Sequence, residues 1–169
     1  MRSFVVLMAA AALAGCAVPR QNTATPSREV AGTVLLARSG LIVEDSRDSL
    51  LAFGTALPSV EMRVTPILGP VVTRTTRVDC GPAPVSLIAF EDITLIARDG
   101  QLAGWMTDED GLRTDAGIGL GSTEISLTAA YKTEYTLDAL DREFDAEGFH
   151  GTVRNGLVSS MWAGTSCPS

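Results

Sequence analysis

The residues of this chain that could carry diagnostic chemistry are few: one histidine, three cysteines, two tryptophans and a glycine-rich run. A zinc site built on His150 would need further ligands from carboxylates or cysteines, and no ligand spacing supplies them. As a general base His150 would need a nucleophile and an orienting acid. Ser159, Ser160 and Asp145 are near in sequence, yet no serine stands in a nucleophile-elbow motif. The run Gly117-Ile118-Gly119-Leu120-Gly121-Ser122 precedes a helical pattern, where backbone amides could cradle a phosphate. The dinucleotide fingerprint requires glycine where Ser122 stands, and a P-loop closes on Gly-Lys-Ser/Thr. Neither is met, so a turn feeding a helix is expected. Asp141 to Gly148 imitates the start of a calcium loop, but Ala146 and Thr152 occupy the positions that need Gly and Glu. No catalytic residue, metal site or cofactor is assigned. Trp105 and Trp162 are the candidate protein-binding residues, provided that they face outward together.

The elements that must position these residues follow from local pattern. Val30 to Val43 carries two apolar runs split by Arg38-Ser39-Gly40, which fits a broken strand or two short strands. Leu57, Val60, Val64, Ile67 and Leu68 share one helical face, with Pro58 suited to the first turn and Gly69 to the end. Pro66 conflicts with this pattern and implies a short or kinked helix. Val71 to Val78 reads as a strand, and Gly81 to Pro84 as a rigid loop. A hairpin follows: Ile93, Leu95 and Ala97 lead into Asp99-Gly100, and Leu102 to Met106 return. Thr107 to Gly121 is a second loop. Ser122 is the expected N-cap of a short helix burying Leu127, Ala130 and Tyr131. Glu134 to Glu147 is acidic and reads as strand ends around a long loop. Phe149 to Ala163 forms a second hairpin, turning at Asn155-Gly156.

The two hairpins expose an internal similarity. Phe53 to Gly69 precedes Arg98 to Trp105, and Ile118 to Lys132 precedes Arg154 to Trp162, with a one-residue difference in hairpin length. The expected fold is α+β: two diverged αββ repeats, about 53–106 and 117–164, forming an antiparallel sheet with two short helices on one face. This order resembles the small outer-membrane assembly lipoproteins of the BamE type and the tandem fold of β-lactamase inhibitor proteins. Gly119 to Glu124 loosely matches the signature that opens the helix in those families. The resemblance implies architecture and protein partners, and transfers no binding residue.

Net charge bounds the partners. The 169 residues include 20 acidic and 13 basic side chains, a formal charge of −7, and no basic cluster offsets it. Such a surface repels nucleic acid and anionic headgroups. Hydrophobic residues make up 46% of the chain, enough for the core of a single domain over residues 30–169.

At the N-terminus, Arg2 precedes an apolar run from Phe4 to Leu13, and Leu13-Ala14-Gly15-Cys16 closes it. This resembles the lipobox of bacterial lipoproteins, in which the cysteine is acylated and becomes the first residue after cleavage. The run is much shorter than the about 20 apolar residues that a transmembrane helix needs. An ordinary secretory signal also cleaves after small residues, but leaves Cys16 unexplained. The resemblance implies a signal peptide over 1–15, lipidation of Cys16, and a polar tether from Cys16 to Glu29. Several acyl chains, at about 0.8 kcal/mol per buried CH₂, hold such a protein on its membrane. Ala17 replaces the aspartate associated with inner-membrane retention, which implies the periplasmic face of the outer membrane. With Cys16 acylated, Cys80 and Cys167 remain, and two thiols in an oxidising compartment pair most simply. The chain-entropy model assigns roughly 4–5 kcal/mol to a loop that long. A reactive Cys80 is the alternative, but it has no CxxC motif and no neighbouring cation in sequence.

The expected role is non-catalytic binding or scaffolding in the envelope. Inhibition of a periplasmic enzyme is the alternative, followed by a small hydrolase or ligand-binding domain using the Gly117–Ser122 turn. Cys16→Ser is expected to abolish radiolabelled lipid incorporation and to release the protein from membranes on fractionation. Unchanged membrane retention would contradict the anchor.

Overall fold

Two turns with positive φ at successive residues, Asp99-Gly100 (51° and 74°) and Asn155-Gly156 (53° and 78°), place the main hairpins. This is type I′ geometry, whose twist matches that of paired strands. A computed structural model of the protein describes residues 32–44, 49–78, 80, 83–137 and 142–166. The signal peptide 1–15, the tether 16–29, Cys16 and Cys167 lie outside the described residues.

In chain order the elements begin with β1 (Thr33–Ala37), β2 (Gly40–Glu44), β3 (Ser49–Ala52) and α1 (Leu57–Leu68). β4 (Thr73–Arg77), β5 (Val85–Ala89), β6 (Thr94–Arg98), β7 (Gln101–Thr107) and β8 (Arg113–Thr114) follow. The chain continues with α2 (Glu124–Ala130), β9 (Thr133–Leu137), β10 (Arg142–Ala146), β11 (Phe149–Arg154) and β12 (Leu157–Gly164). β4 to β7 form one antiparallel meander and β9 to β12 another. Pairing of β7 with β12 merges them into a sheet of order β4-β5-β6-β7-β12-β11-β10-β9. A smaller sheet, β3-β2-β1-β8, has β8 running parallel to β1.

The fold is α+β, but each helix is followed by a four-stranded meander rather than two strands, with β8 added after the first. The expected loop in Glu134 to Glu147 contains β9 and β10, paired Phe144 to Tyr135 and Asp145 to Glu134. Their outward acids concealed a period-two pattern in which Phe144 and Ala146 turn inward and are buried. β5 was not anticipated, and β8 lies inside the stretch read as a loop.

Both helices and the small sheet cover one face of the large sheet. Val60 and Val64 of α1, Leu127 of α2, and Leu36 and Leu41 of the small sheet share a single core. Trp105, Phe144 and Met161 of the large sheet belong to the same core. α1 runs unbroken past Pro66 to Leu68, and the Gly69 amide donates to the Thr65 carbonyl at 3.0 Å. Pro66 lies in the exposed last turn, where the Met62 carbonyl deprived of an amide partner can be met by water. In α2 the N-cap is Thr123, not Ser122: Thr123 Oγ1 accepts from the Ser126 amide at 3.1 Å. Leu127 and Tyr131 are buried as expected, whereas Ala130 is exposed.

The lead-in to each helix is held in the same way. Gly54 donates to the Leu102 carbonyl, Leu102 to Thr55, and Leu57 to Gly100. In the second half Gly121 donates to Val158, Val158 to Ser122, and Glu124 to Gly156. Each hairpin also has a register shift at a corresponding place, Ile96/Ala97 and Thr152/Val153.

At the junction of the halves Gly104 lies opposite Gly164, and the Thr165 amide donates to the Ala103 carbonyl at 2.8 Å. A Cβ on Gly104 would run into the backbone oxygens of Thr165 and Ala163. Gly104→Ala is therefore expected to lower stability by about 1–3 kcal/mol, the usual cost of overpacking. A urea midpoint shifted down at unchanged slope checks this, and an unshifted midpoint would contradict it.

Candidate binding face

The outer face of the large sheet differs between its halves. In the β4–β7 half, Val85 and Ile96 are buried with Cys80, and Leu87 and Met106 pack against them. In this satellite cluster Cys80, between β4 and β5, packs on that half. Cys80 is disulfide-bonded. Both other cysteines lie outside the described residues, so the pairing with Cys167 is not among the described contacts.

The corresponding positions of the second half are polar. Leu87 pairs with Ile96, and at the matching register Glu143 pairs with Thr152. Met106 pairs with Thr94, and at the matching register Trp162 pairs with His150. A row of side chains therefore crosses four strands: Trp162, His150, Asp145 and Glu134. The His150 and Trp162 rings are stacked, with centroids 6.1 Å apart and planes inclined by 18°. His150 Nδ1 lies 3.6 Å from Asp145 Oδ2, and the imidazole side chain is 37% exposed. In the adjacent row, Thr152 Oγ1 lies 2.8 Å from both the Ser159 and Ser160 hydroxyls. Those hydroxyls are spent on Thr152, one row away from His150, so the three residues do not form a nucleophile–base pair.

The two tryptophans do not face outward together. Trp105 is fully buried, its indole Nε1 donating to the Ala37 carbonyl at 2.9 Å and its ring 6.1 Å from Phe149. The hairpins correspond without a gap, so Trp105 matches Met161 and Trp162 matches Met106. One position along a strand reverses the side of the sheet. Only Trp162 is placed where a partner could reach it.

The glycine-rich turn spends its amides internally. Gly117 donates to the Thr114 carbonyl, Ile118 to Thr114 Oγ1 and Gly119 to Ser122 Oγ. Gly121, Ser122 and Glu124 donate to the carbonyls of Val158, Gly119 and Gly156. Glu124 places a carboxylate at the helix start and pairs with Arg142, which lies over the Tyr135 ring at 5.0 Å. This loop offers no cradle for an anion. The acidic stretch that imitates the start of a calcium loop, expected as a solvated loop, is from Arg142 onward β10 and a tight turn at Glu147-Gly148, both at positive φ. Among the described residues, no three His, Cys, Asp or Glu side chains group as a metal site. No helix among them is long and apolar enough to cross a membrane.

Concave regions lie elsewhere. A shallow groove of about 730 Å³ runs along α1 beside Pro58, Met62, Pro66 and Pro70. A smaller pocket of about 220 Å³ lies between Arg38, Asp115, Tyr131 and Phe149. In it Tyr131 Oη sits 2.8 Å from Thr114 Oγ1 and 3.2 Å from Asp115 Oδ1. Against protein-family models, curated proteins and solved structures, the chain shows no match.

Glu134, Glu143 and Thr152 are members of the face that the sequence reading missed. The alternation Glu143-Phe144-Asp145-Ala146 was the signal that could have revealed them.

Both tyrosines titrate above their ordinary range. Burial raises Tyr131 most, with the Asp115 charge adding to it, and burial followed by the Glu124 charge raises Tyr135. A raised folded value favours the neutral phenol, so its contribution is complete below the ordinary pKa of about 10 and is lost as pH rises through the folded value. Phenolate absorbance is expected to stay flat through pH of about 10 in the folded protein, and stability to fall above that. Ionisation of either phenol at its ordinary pKa would contradict this.

Proposed function

We propose that this protein is a lipid-anchored component of a bacterial envelope that binds a protein partner without catalysis, through the outer face of β9–β12. The observation that carries the reading is Trp162, a half-buried aromatic side chain at the edge of the polar β9–β12 face, with His150 on one side and Met106 on the other. Aromatic residues ringed by polar groups are typical anchors of binding interfaces. The order Arg2, apolar run, small residues, Cys16 supports the anchor and the envelope address, with the outer membrane's periplasmic leaflet as the expected site.

We further infer that the two halves are a diverged repeat whose unit is a helix plus a four-stranded meander. The recurring helix-entry hydrogen bonds, matching register shifts and twin type I′ turns support it. Pairing of Cys80 with Cys167 is part of the same reading. The chain leaves β12 across Gly104, the register partner of Ile96, against which Cys80 packs. That course, followed as far as Ser166, lies on the side of the sheet where Cys80 packs and supports the pairing.

A photo-reactive residue in place of Thr152 tests the binding role in intact envelopes, with one in place of exposed Met62 as comparison. The expected result is a discrete protein adduct from the Thr152 site that falls about tenfold or more in Trp162→Ala, the loss typical of a hot spot. An adduct formed only from the Met62 site, or one indifferent to Trp162, would contradict the proposal.

A further inference from the structure

Resting on that binding role, we infer that the occupant of the β9–β12 face is an extended protein segment bearing lysine or arginine. Charge is the first reason. Glu134, Glu143 and Asp145 are exposed on this face, and Asp145 and Glu134 are direct cross-strand neighbours. Like charges placed opposite each other destabilise a sheet, and an incoming cation between them removes that cost. Among the described residues the compensation from Lys132 and His150 is weak. Lys132 Nζ lies 3.8 Å from Glu134 Oε1 with both side chains about four-fifths exposed, a pair that water screens. His150 opposes Asp145 with charge only when protonated. Arg154, at the hairpin end of β11, already has a partner.

The second reason is Trp162. Its indole is stacked on His150 at one end of the row whose other end carries the carboxylates. An aromatic ring two strands from a carboxylate suits a segment with two cations, one gaining from the ring quadrupole and the other from the acids. Dimensions are the third. From β12 to β9 is three strand spacings, about 14 Å, which roughly four residues of extended chain can span. Two cations of one segment therefore reach Trp162 and Glu134 together. Nucleic acid and anionic lipid are repelled by the same charges.

The test is a fluorescence titration of the full-length, oxidised protein in detergent at low salt, with hexa-arginine and hexaglutamate as probes. Hexa-arginine is expected to shift tryptophan emission and to bind, and hexaglutamate to do neither. Glu134→Gln/Glu143→Gln/Asp145→Asn is expected to weaken hexa-arginine binding at least tenfold. Glu44→Gln/Glu91→Gln/Asp99→Asn removes as much charge from exposed sites elsewhere and is expected to change it less than twofold. Trp162→Phe, which keeps a ring, is expected to fall between wild type and Trp162→Ala. Equal losses in the two triple variants would reduce the effect to net charge and overturn the assignment, as would binding of hexaglutamate. A concentration-dependent dimer that Trp162→Ala abolishes would give the face to a second copy and likewise overturn it. Absence of hexa-arginine binding together with a Thr152 adduct defeats the cationic assignment alone. Absence of both defeats the binding role as well.

Discussion

Between Gly104 and Thr107 on β7, and Met161 and Gly164 on β12, four residue pairs join two meanders that are otherwise separate in sequence. This seam is where the sheet gains its full width, and side-chain size on each face decides what it can hold. On the inner face Trp105 stands opposite Ala163, a large residue beside a small one, so the indole fits within the core. Its Nε1 then ties the seam to the β1–β2 hairpin through Ala37. On the outer face Gly104 lets the chain turn back over β7 after Gly164. The helices depend on the same hairpins, since each helix entry is hydrogen-bonded to the start of β7 or β12.

Because both hairpins meet at this seam in matching register, their outer faces invite direct comparison. The first half places Leu87, Ile96 and Met106 outward and packs them with Cys80 and Val85. The second half places Glu143, Thr152 and Trp162 at the same positions. Burial in one half and polarity in the other suit different tasks: the first half adds a small second core, and the second, which no described element covers, presents a partly exposed polar surface. An isolated, partly exposed aromatic needs no explanation on its own. An aromatic stacked on the sole histidine, at the end of a row of carboxylates, is a more specific arrangement.

Much of this architecture was legible in the sequence. The α1 face, the Asp-Gly and Asn-Gly turns and the α+β class were readable because each rests on local periodicity or on a turn's need for positive φ. What was not legible depended on tertiary neighbours. β9 and β10 read as an acidic loop because only their inward residues are apolar, and the short strands put few of these in view. Thr123 displaced Ser122 as N-cap because Ser122 Oγ is engaged by the Gly119 amide. The tryptophans were aligned with each other by residue type. Backbone register instead aligns Trp105 with Met161, and that single step sends the two indoles to opposite faces.

The placement of the indoles on opposite faces is the claim on which the binding account rests, and acrylamide quenching in single-tryptophan proteins measures it directly. Trp105→Phe leaves Trp162 as the sole emitter, and Trp162→Phe leaves Trp105. The account predicts ready quenching of Trp162 in the folded protein and strong protection of Trp105 until denaturant unfolds the chain. Equal quenching of the two, or protection of Trp162, would contradict it.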